Sequence, residues 1–325
     1  MKSLDHYILK ILFIPFCLSL TLKANPYTSG ILAEMFPGLG YYYNEDYDSA
    51  LLSSTLIIPL LAPQFWTTTH FAAKSLKSNL STTSRNLFGY SVYDSFHQAL
   101  QKEDFQDQVV PLPYYDLKTS YLAVFNPESY KTWHPYPLIL LGASSFISSV
   151  VKNGFHMPLS RAWALPLILA QSMFIGMGEE AEFRGFQYPA FAQLTGSDLA
   201  GSILSSMSFG ACHTQFGIPL GKNHHWRFCG SPYVTSQVAG FFNTIDQKKE
   251  YRAPSAPSDG TDISDMAYFA NTFLTGLYFS WVTRNGSLLE SIAAHSLYDF
   301  ILIASDLLTT NNTGRIYLSL KFDFQ

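Results

Sequence analysis

The sequence predicts an all-α, polytopic membrane protein, a bundle of about six to eight transmembrane helices. Three observations predict it. Only 14% of the 325 residues are charged, against 47% hydrophobic and 16% aromatic, where a soluble domain carries about 25% charge. The charges fall mostly between long apolar runs. The few ionisable groups that lie within or directly beside those runs are spaced as helical neighbours. The 26 Phe and 20 Tyr exclude a disordered chain. A net charge of −4 gives no basic stripe for nucleic acid. Cys17, Cys212 and Cys229 are few, odd in number and far apart, which excludes a disulfide framework or a zinc knuckle.

Residues 1–24 are the first element. Lys2 and Lys10 bracket the start of an apolar run, Ile8 to Leu22, that closes at Lys23-Ala24. A secretory signal peptide and an uncleaved first membrane anchor both fit, and either addresses the chain to a membrane.

Residues 25–110 read as an N-terminal membrane hairpin module with a polar segment. The apolar block Ile31 to Trp66 is interrupted from Pro37 to Asn44 by turn residues and interfacial tyrosines. Ser49 to Trp66 then offers close to the roughly 20 residues a span needs. The Pro37-Gly38-Leu39-Gly40 stretch resembles the start of small helical-hairpin modules in bacterial membrane proteins. An ordinary turn between two hydrophobic helices fits the same residues. From Thr67 the chain turns polar, which predicts an extramembrane segment, helical around Arg85 to Gln101. Residues 111–135 form a Pro-containing linker and a module boundary.

Residues 136–310 hold the crowded spans. Tyr136 to Val151 and Ala162 to Gly178 contain no charged residue; Pro166 is tolerated in a packed membrane helix. Leu199 to Phe216 is rich in Gly, Ala and Ser, which let membrane helices approach closely. A polar loop, Gly217 to Ser264, precedes two more spans, Met266 to Val282 and Leu288 to Leu308, joined by a tight turn at Arg284-Asn285-Gly286. His224 and His225 in the loop fit a surface position better than a metal site. The tail, 311–325, is polar and carries no readable function.

The exceptional charges carry the chemistry. Glu179, Glu180, Glu182 and Arg184 follow an uncharged span; His213 lies in the next, four residues after Phe209; His295 and Asp299 sit in the last. An ionisable group at membrane depth costs about 2.5–3.5 kcal/mol even on the lenient insertion scale. Glu180 and Arg184 are i, i+4 in the favoured order, so one carboxylate is neutralised locally. Glu179 is one position round and faces elsewhere. His295 and Asp299 share a face. Glu182 reads as solvated or interfacial. Three helices thereby offer a carboxylate, an imidazole, and an imidazole with a carboxyl to one interior. Such a set suits hydrolysis by activated water: a carboxylate in an apolar pocket is a competent base, and a histidine with a polar partner stabilises an oxyanion. The chain has neither a Gly-x-Ser-x-Gly elbow nor a His-Glu-x-x-His zinc motif. Cys212 adjoins His213, but helix neighbours point about 100° apart, which speaks against a Cys–His nucleophile pair.

Glu179-Glu180-x-x-x-Arg184, Phe209-x-x-x-His213 and His295-x-x-x-Asp299, in that order, resemble the CPBP family of intramembrane endopeptidases. That family includes the type II CAAX prenyl endopeptidases and the bacterial Abi proteins. The resemblance covers roughly Tyr136 to Leu308. It implies an active site inside the bundle with Glu179, Glu180, Arg184, His213, His295 and Asp299. Glu179 with His213 would activate the water, His295 and residue 299 would form the oxyanion hole, and Glu180 and Arg184 would orient. Many members carry Asn where this chain has Asp299. An ionised Asp cannot donate to an oxyanion, so Asp299 stays protonated, orients His295 or helps bind a metal. The expected partners are the lipid bilayer and a peptide or protein substrate, and the expected location is a bacterial inner membrane. No cofactor is required. A metal-dependent protease, with a divalent metal such as zinc on Glu179, His213, His295 and Asp299, is a second reading. A non-catalytic scaffold or immunity protein is a third.

Overall fold

The computed structural model describes residues 25–61, 71–102, 108–155, 164–213, 216–219, 225–228, 263–309, 316–317 and 321–322. Residues 1–24 and His224 lie outside that set, as do most of the loop and the tail. The described elements are helical except for two antiparallel hairpins, β1 (Phe216–Pro219) with β2 (His225–Phe228) and β3 (Ile316–Tyr317) with β4 (Lys321–Phe322).

The N-terminal helices are α1 (Pro26–Met35), α2 (Leu39–Tyr43), α3 (Tyr47–Leu61) and α4 (Phe71–Lys102). Asn25 caps α1 by accepting from Tyr27 N at 2.9 Å, with Pro26 preset for the first turn. The break after α1 is Pro37-Gly38, where Gly38 takes φ 89°, a conformation that other residues adopt at a cost. Ser29 Oγ then donates to Ser95 O at 3.1 Å and pins α1 to α4. Helix α4 is longer than the expected Arg85 to Gln101, and its Tyr90, Val92, Tyr93 and Phe96 are buried. A polar average hid this face, because α4 packs on several sides.

The linker contains α5 (Leu117–Tyr121) and two 3₁₀ turns, Ala123–Phe125 and Pro127–Tyr130. It is fastened to the bundle: Tyr93 Oη accepts from Tyr115 N at 2.8 Å, and Thr132 Oγ1 donates to Glu290 Oε2 at 2.6 Å.

The remaining helices are α6 (Tyr136–Asn153), α7 (Ala164–Glu180), α8 (Tyr188–Thr195), α9 (Asp198–His213), α10 (Ile263–Asn285) and α11 (Leu288–Thr309). A π-helical segment, Ala181–Gln187, joins α7 to α8. Among the described residues, α11 is the one helix long and apolar enough by itself to cross a membrane. It sits centrally. Leu307 packs on Ala164 and Ile168 of α7, while Gly176 of α7 meets Ile292 and Ser296, so the two helices run antiparallel. Ala294 and Leu138 share a cluster, which sets α6 on another side of α11. Helices α9 and α10 are antiparallel too, joined by Arg284 Nε to Asp198 Oδ2 at 2.7 Å and by Gly210 against Phe269. The central core is Met177, Ala181, Leu289, Ile292 and Ala293 with Tyr90 and Tyr93 of α4.

Candidate active site

The six site residues come from α7, the π segment, α9 and α11, and the fold brings all six together. Glu179 and Glu180 end α7 where it enters the π segment. They can sit there because two glycines bring helices close. A Cβ on Gly178 would lie 2.4 Å from the Asn86 backbone of α4, and one on Gly176 would lie 2.8 Å from Ser296 N of α11.

Glu180 is fully buried and accepts from three groups. His295 Nδ1 is 2.8 Å from Oε1, Arg184 Nη1 donates to the same oxygen at 3.2 Å, and Ser291 Oγ donates to Oε2 at 2.6 Å. Arg184, also fully buried, spends Nη2 on the Gly276 carbonyl at 2.9 Å and lays its guanidinium 4.4 Å from the centre of the Phe209 ring. A buried charge survives only when paired in this way.

Glu179 faces the other direction. It is 9% exposed, and its Oε2 is buried with no close hydrogen bond. Two imidazole nitrogens stand near it, His213 Nε2 at 3.5 Å and His295 Nε2 at 3.8 Å. His213 Nδ1 lies 2.8 Å from the Phe209 carbonyl, which requires a proton on Nδ1 and leaves Nε2 turned to the carboxylate. Phe209 also stacks near His213, with ring centres 4.5 Å apart. His295 is clamped by Phe279 at 4.6 Å, nearly parallel, and Asp299 Oδ2 stands 3.6 Å from its Nε2. Glu179, His213 and Asp299 keep partly open side chains, whereas Glu180 and Arg184 have none. The open edge is where a substrate can approach.

Among the described residues, no group of three or more His, Cys, Asp and Glu side chains is placed to hold a metal ion. Only backbone is described for His225.

One expectation is overturned. Glu182 is 2% exposed rather than solvated or interfacial. The π segment turns it inward, where Gln187 Nε2 donates to its Oε1 at 3.3 Å and to Glu34 Oε1 at 2.9 Å. Gly89 has no side chain to exclude it; a Cβ there would lie 3.1 Å from Glu182 Oε2. Sequence reasoning also missed Ser291. The signal was available: Ser291, His295 and Asp299 repeat every four residues on one face of α11. Cys212 is buried beside Phe183 and Phe209, in the packing behind His213.

Residues 161–301 match the family model described as Type II CAAX prenyl endopeptidase Rce1-like. No curated protein and no solved structure matches the chain.

Proposed function

We propose that this chain, whose residues 161–301 match the family model described as Type II CAAX prenyl endopeptidase Rce1-like, is an intramembrane endopeptidase that hydrolyses a peptide bond near the membrane surface with Glu- and His-activated water. The observation that carries the reading is Glu179 Oε2, buried, without a close hydrogen bond and aimed between the Nε2 atoms of His213 and His295. A water held against Glu179 and His213 gives its proton to the carboxylate, and its oxygen attacks the scissile carbonyl carbon. His295, held through Nδ1 by Glu180, turns Nε2–H to the oxyanion. The new carboxylic acid on Glu179 then protonates the departing amine, so the proton balance closes. Asp299, at 3.6 Å from His295 Nε2, orients the imidazole, since an ionised Asp cannot donate to an oxyanion.

In this reading 136–310 is the protease unit, 25–110 a packed membrane module, 111–135 the linker between them and 311–325 a tail. The helices surround the site as a multi-pass bundle in a bacterial inner membrane. The outward faces support a lipid environment: Leu140, Ile147 and Val151 of α6 and Leu199, Ile203 and Met207 of α9 are exposed. Such apolar faces suit acyl chains. Trp133 and Tyr136, also exposed, suit the headgroup level.

The test is membrane peptidomics of wild type against Glu179→Ala. One precursor should accumulate in the variant. Unchanged processing, or function that survives a Glu179→Gln, His213→Ala double change, overturns the proposal in favour of a scaffold.

A further inference from the structure

Helix α10 carries none of the six site residues, yet it backs the site. Gly276 and Phe279 are i, i+3 and share a face. Gly276 offers its carbonyl to Arg184 Nη2 at 2.9 Å, and a Cβ there would lie 3.1 Å from that nitrogen and from Ser206 Cβ of α9. The bare backbone lets α10 close on both. One turn on, Phe279 is fully buried, and its ring reaches two basic groups. The His295 ring lies nearly parallel to it, with 4.6 Å between centres and 21° between planes. Arg184 Cζ is 5.2 Å from its centre. These are the same two groups that meet at Glu180 Oε1, His295 Nδ1 at 2.8 Å and Arg184 Nη1 at 3.2 Å. Ser291, which also serves Glu180, reaches the Phe279 carbonyl with the same hydroxyl at 3.5 Å.

One hydrogen bond does not fix an imidazole. The torsion about Cβ–Cγ is broad, and a hydrogen bond at one ring nitrogen tolerates a tilt of tens of degrees. At the far edge, Nε2 stands 3.8 Å from Glu179 Oε2 and 3.6 Å from Asp299 Oδ2, too far to be held by either. Phe209 meets His295 edge-on, with 6.0 Å between centres. Phe279 supplies a face, and a stacked face restricts tilt.

We infer that Phe279 is a positioning residue: Glu180 sets which edge of His295 points inward, Phe279 sets the plane of the ring, and together they aim Nε2 at the open edge of the site. The kinetic consequence rests on the protease reading. A His295 ring free to tilt would carry Nε2 out of line with the oxyanion, and misplacement of this kind slows the chemical step more than it weakens substrate binding.

The experiment uses the full chain in lipid nanodiscs, with the precursor that accumulates in the Glu179→Ala strain as substrate. Phe279→Leu keeps an apolar side chain and removes the flat face. Its kcat should fall roughly tenfold or more, with KM within about twofold. A second readout needs no cleavage: the order parameter of the His295 ring, from ¹³C relaxation, should drop. Leu307→Ala is the packing control. Leu307 is buried against Ala164 and Ile168, about 18 Å further along α11 than His295. This variant should lose at least as much thermal stability while kcat stays within about twofold and the ring order is unchanged. Phe279→Met is the second variant, flexible enough to fill the ring's volume, and should repeat the Phe279→Leu result. Wild-type kcat and ring order in the two Phe279 variants overturn the inference, as does a fall in kcat with the ring order unchanged. A Leu307→Ala variant that loses kcat and ring order to the same extent also overturns it, since packing alone then accounts for both. If wild type shows no Glu179-dependent cleavage, the protease reading fails, and the order of the His295 ring still decides the inference.

Discussion

Glu180 Oε1 lies 2.8 Å from His295 Nδ1. The carboxylate that the sequence pairs with Arg184 is therefore also the group that aims the histidine. Two contacts meet on one side chain, and the proposed mechanism assigns stability to Glu180 and chemistry to Glu179.

Glu180→Ala should unfold the protein more easily. Removing it leaves Arg184 buried and without its carboxylate, which costs about 3–5 kcal/mol. A large fall in the thermal midpoint in nanodiscs is expected; a midpoint within a degree of wild type would contradict the buried pair.

Glu179→Ala should behave in the opposite way. Its Oε2 has no close hydrogen bond to lose, so the thermal midpoint stays near wild type. Loss of the general base should lower kcat by about 10²–10⁴. Wild-type cleavage should also persist in the presence of a chelator. Loss of activity on chelation, restored by a divalent metal, would instead support the metal-dependent version.

Ser291→Ala removes the hydroxyl that donates to Glu180 Oε2 at 2.6 Å. A hydrogen bond to a charged group is worth about 1.5–3 kcal/mol, and Glu180 is fully buried. Denaturation should show that loss; a neutral effect would mean that Arg184 and His295 satisfy Glu180 alone.

Gly178→Ala tests the contact between α4 and α7. Its Cβ would meet backbone of Asn86 at 2.4 Å, which no side-chain rotation relieves. Overpacking of this kind costs typically about 1–3 kcal/mol. Gly142→Ala is the control, since its nearest neighbours are side-chain atoms of Tyr298 and Ile301 at 3.3 to 3.5 Å. Equal midpoints for the two variants would exclude the close approach.

Thr132→Val should loosen the linker. Thr132 Oγ1 donates to the buried Glu290 at 2.6 Å, and His134 Nδ1 lies 2.7 Å from the same hydroxyl. Proteolysis between residues 111 and 135 should become faster in the variant; an unchanged rate would show that the linker is held by its other contacts.

Much of the site was legible because helical spacing is local geometry. Glu180 with Arg184, Phe209 with His213 and His295 with Asp299 each meet at i, i+4, and a rise of about 1.5 Å per residue fixes that without reference to the rest of the fold. The uncharged runs marked α6 and α7, and the apolar run Leu288 to Leu308 marked α11, nearly to their ends for a similar reason: desolvating a charge is costly wherever the helix finally lies. Tertiary structure decided what no spacing carries. Glu182 looked exposed because its neighbours are polar, yet the π turn and the bare surface of Gly89 bury it against Gln187. Arg85 to Gln101 looked extramembrane on average composition, yet Asn86 and Tyr93 of that helix seat the two glycines flanking the glutamate pair. The sequence by itself determined which groups are too costly to bury alone. Only the packing of α4, α7, α9 and α11 decided which partner each of them found, because that depends on backbone approach between residues far apart in the chain.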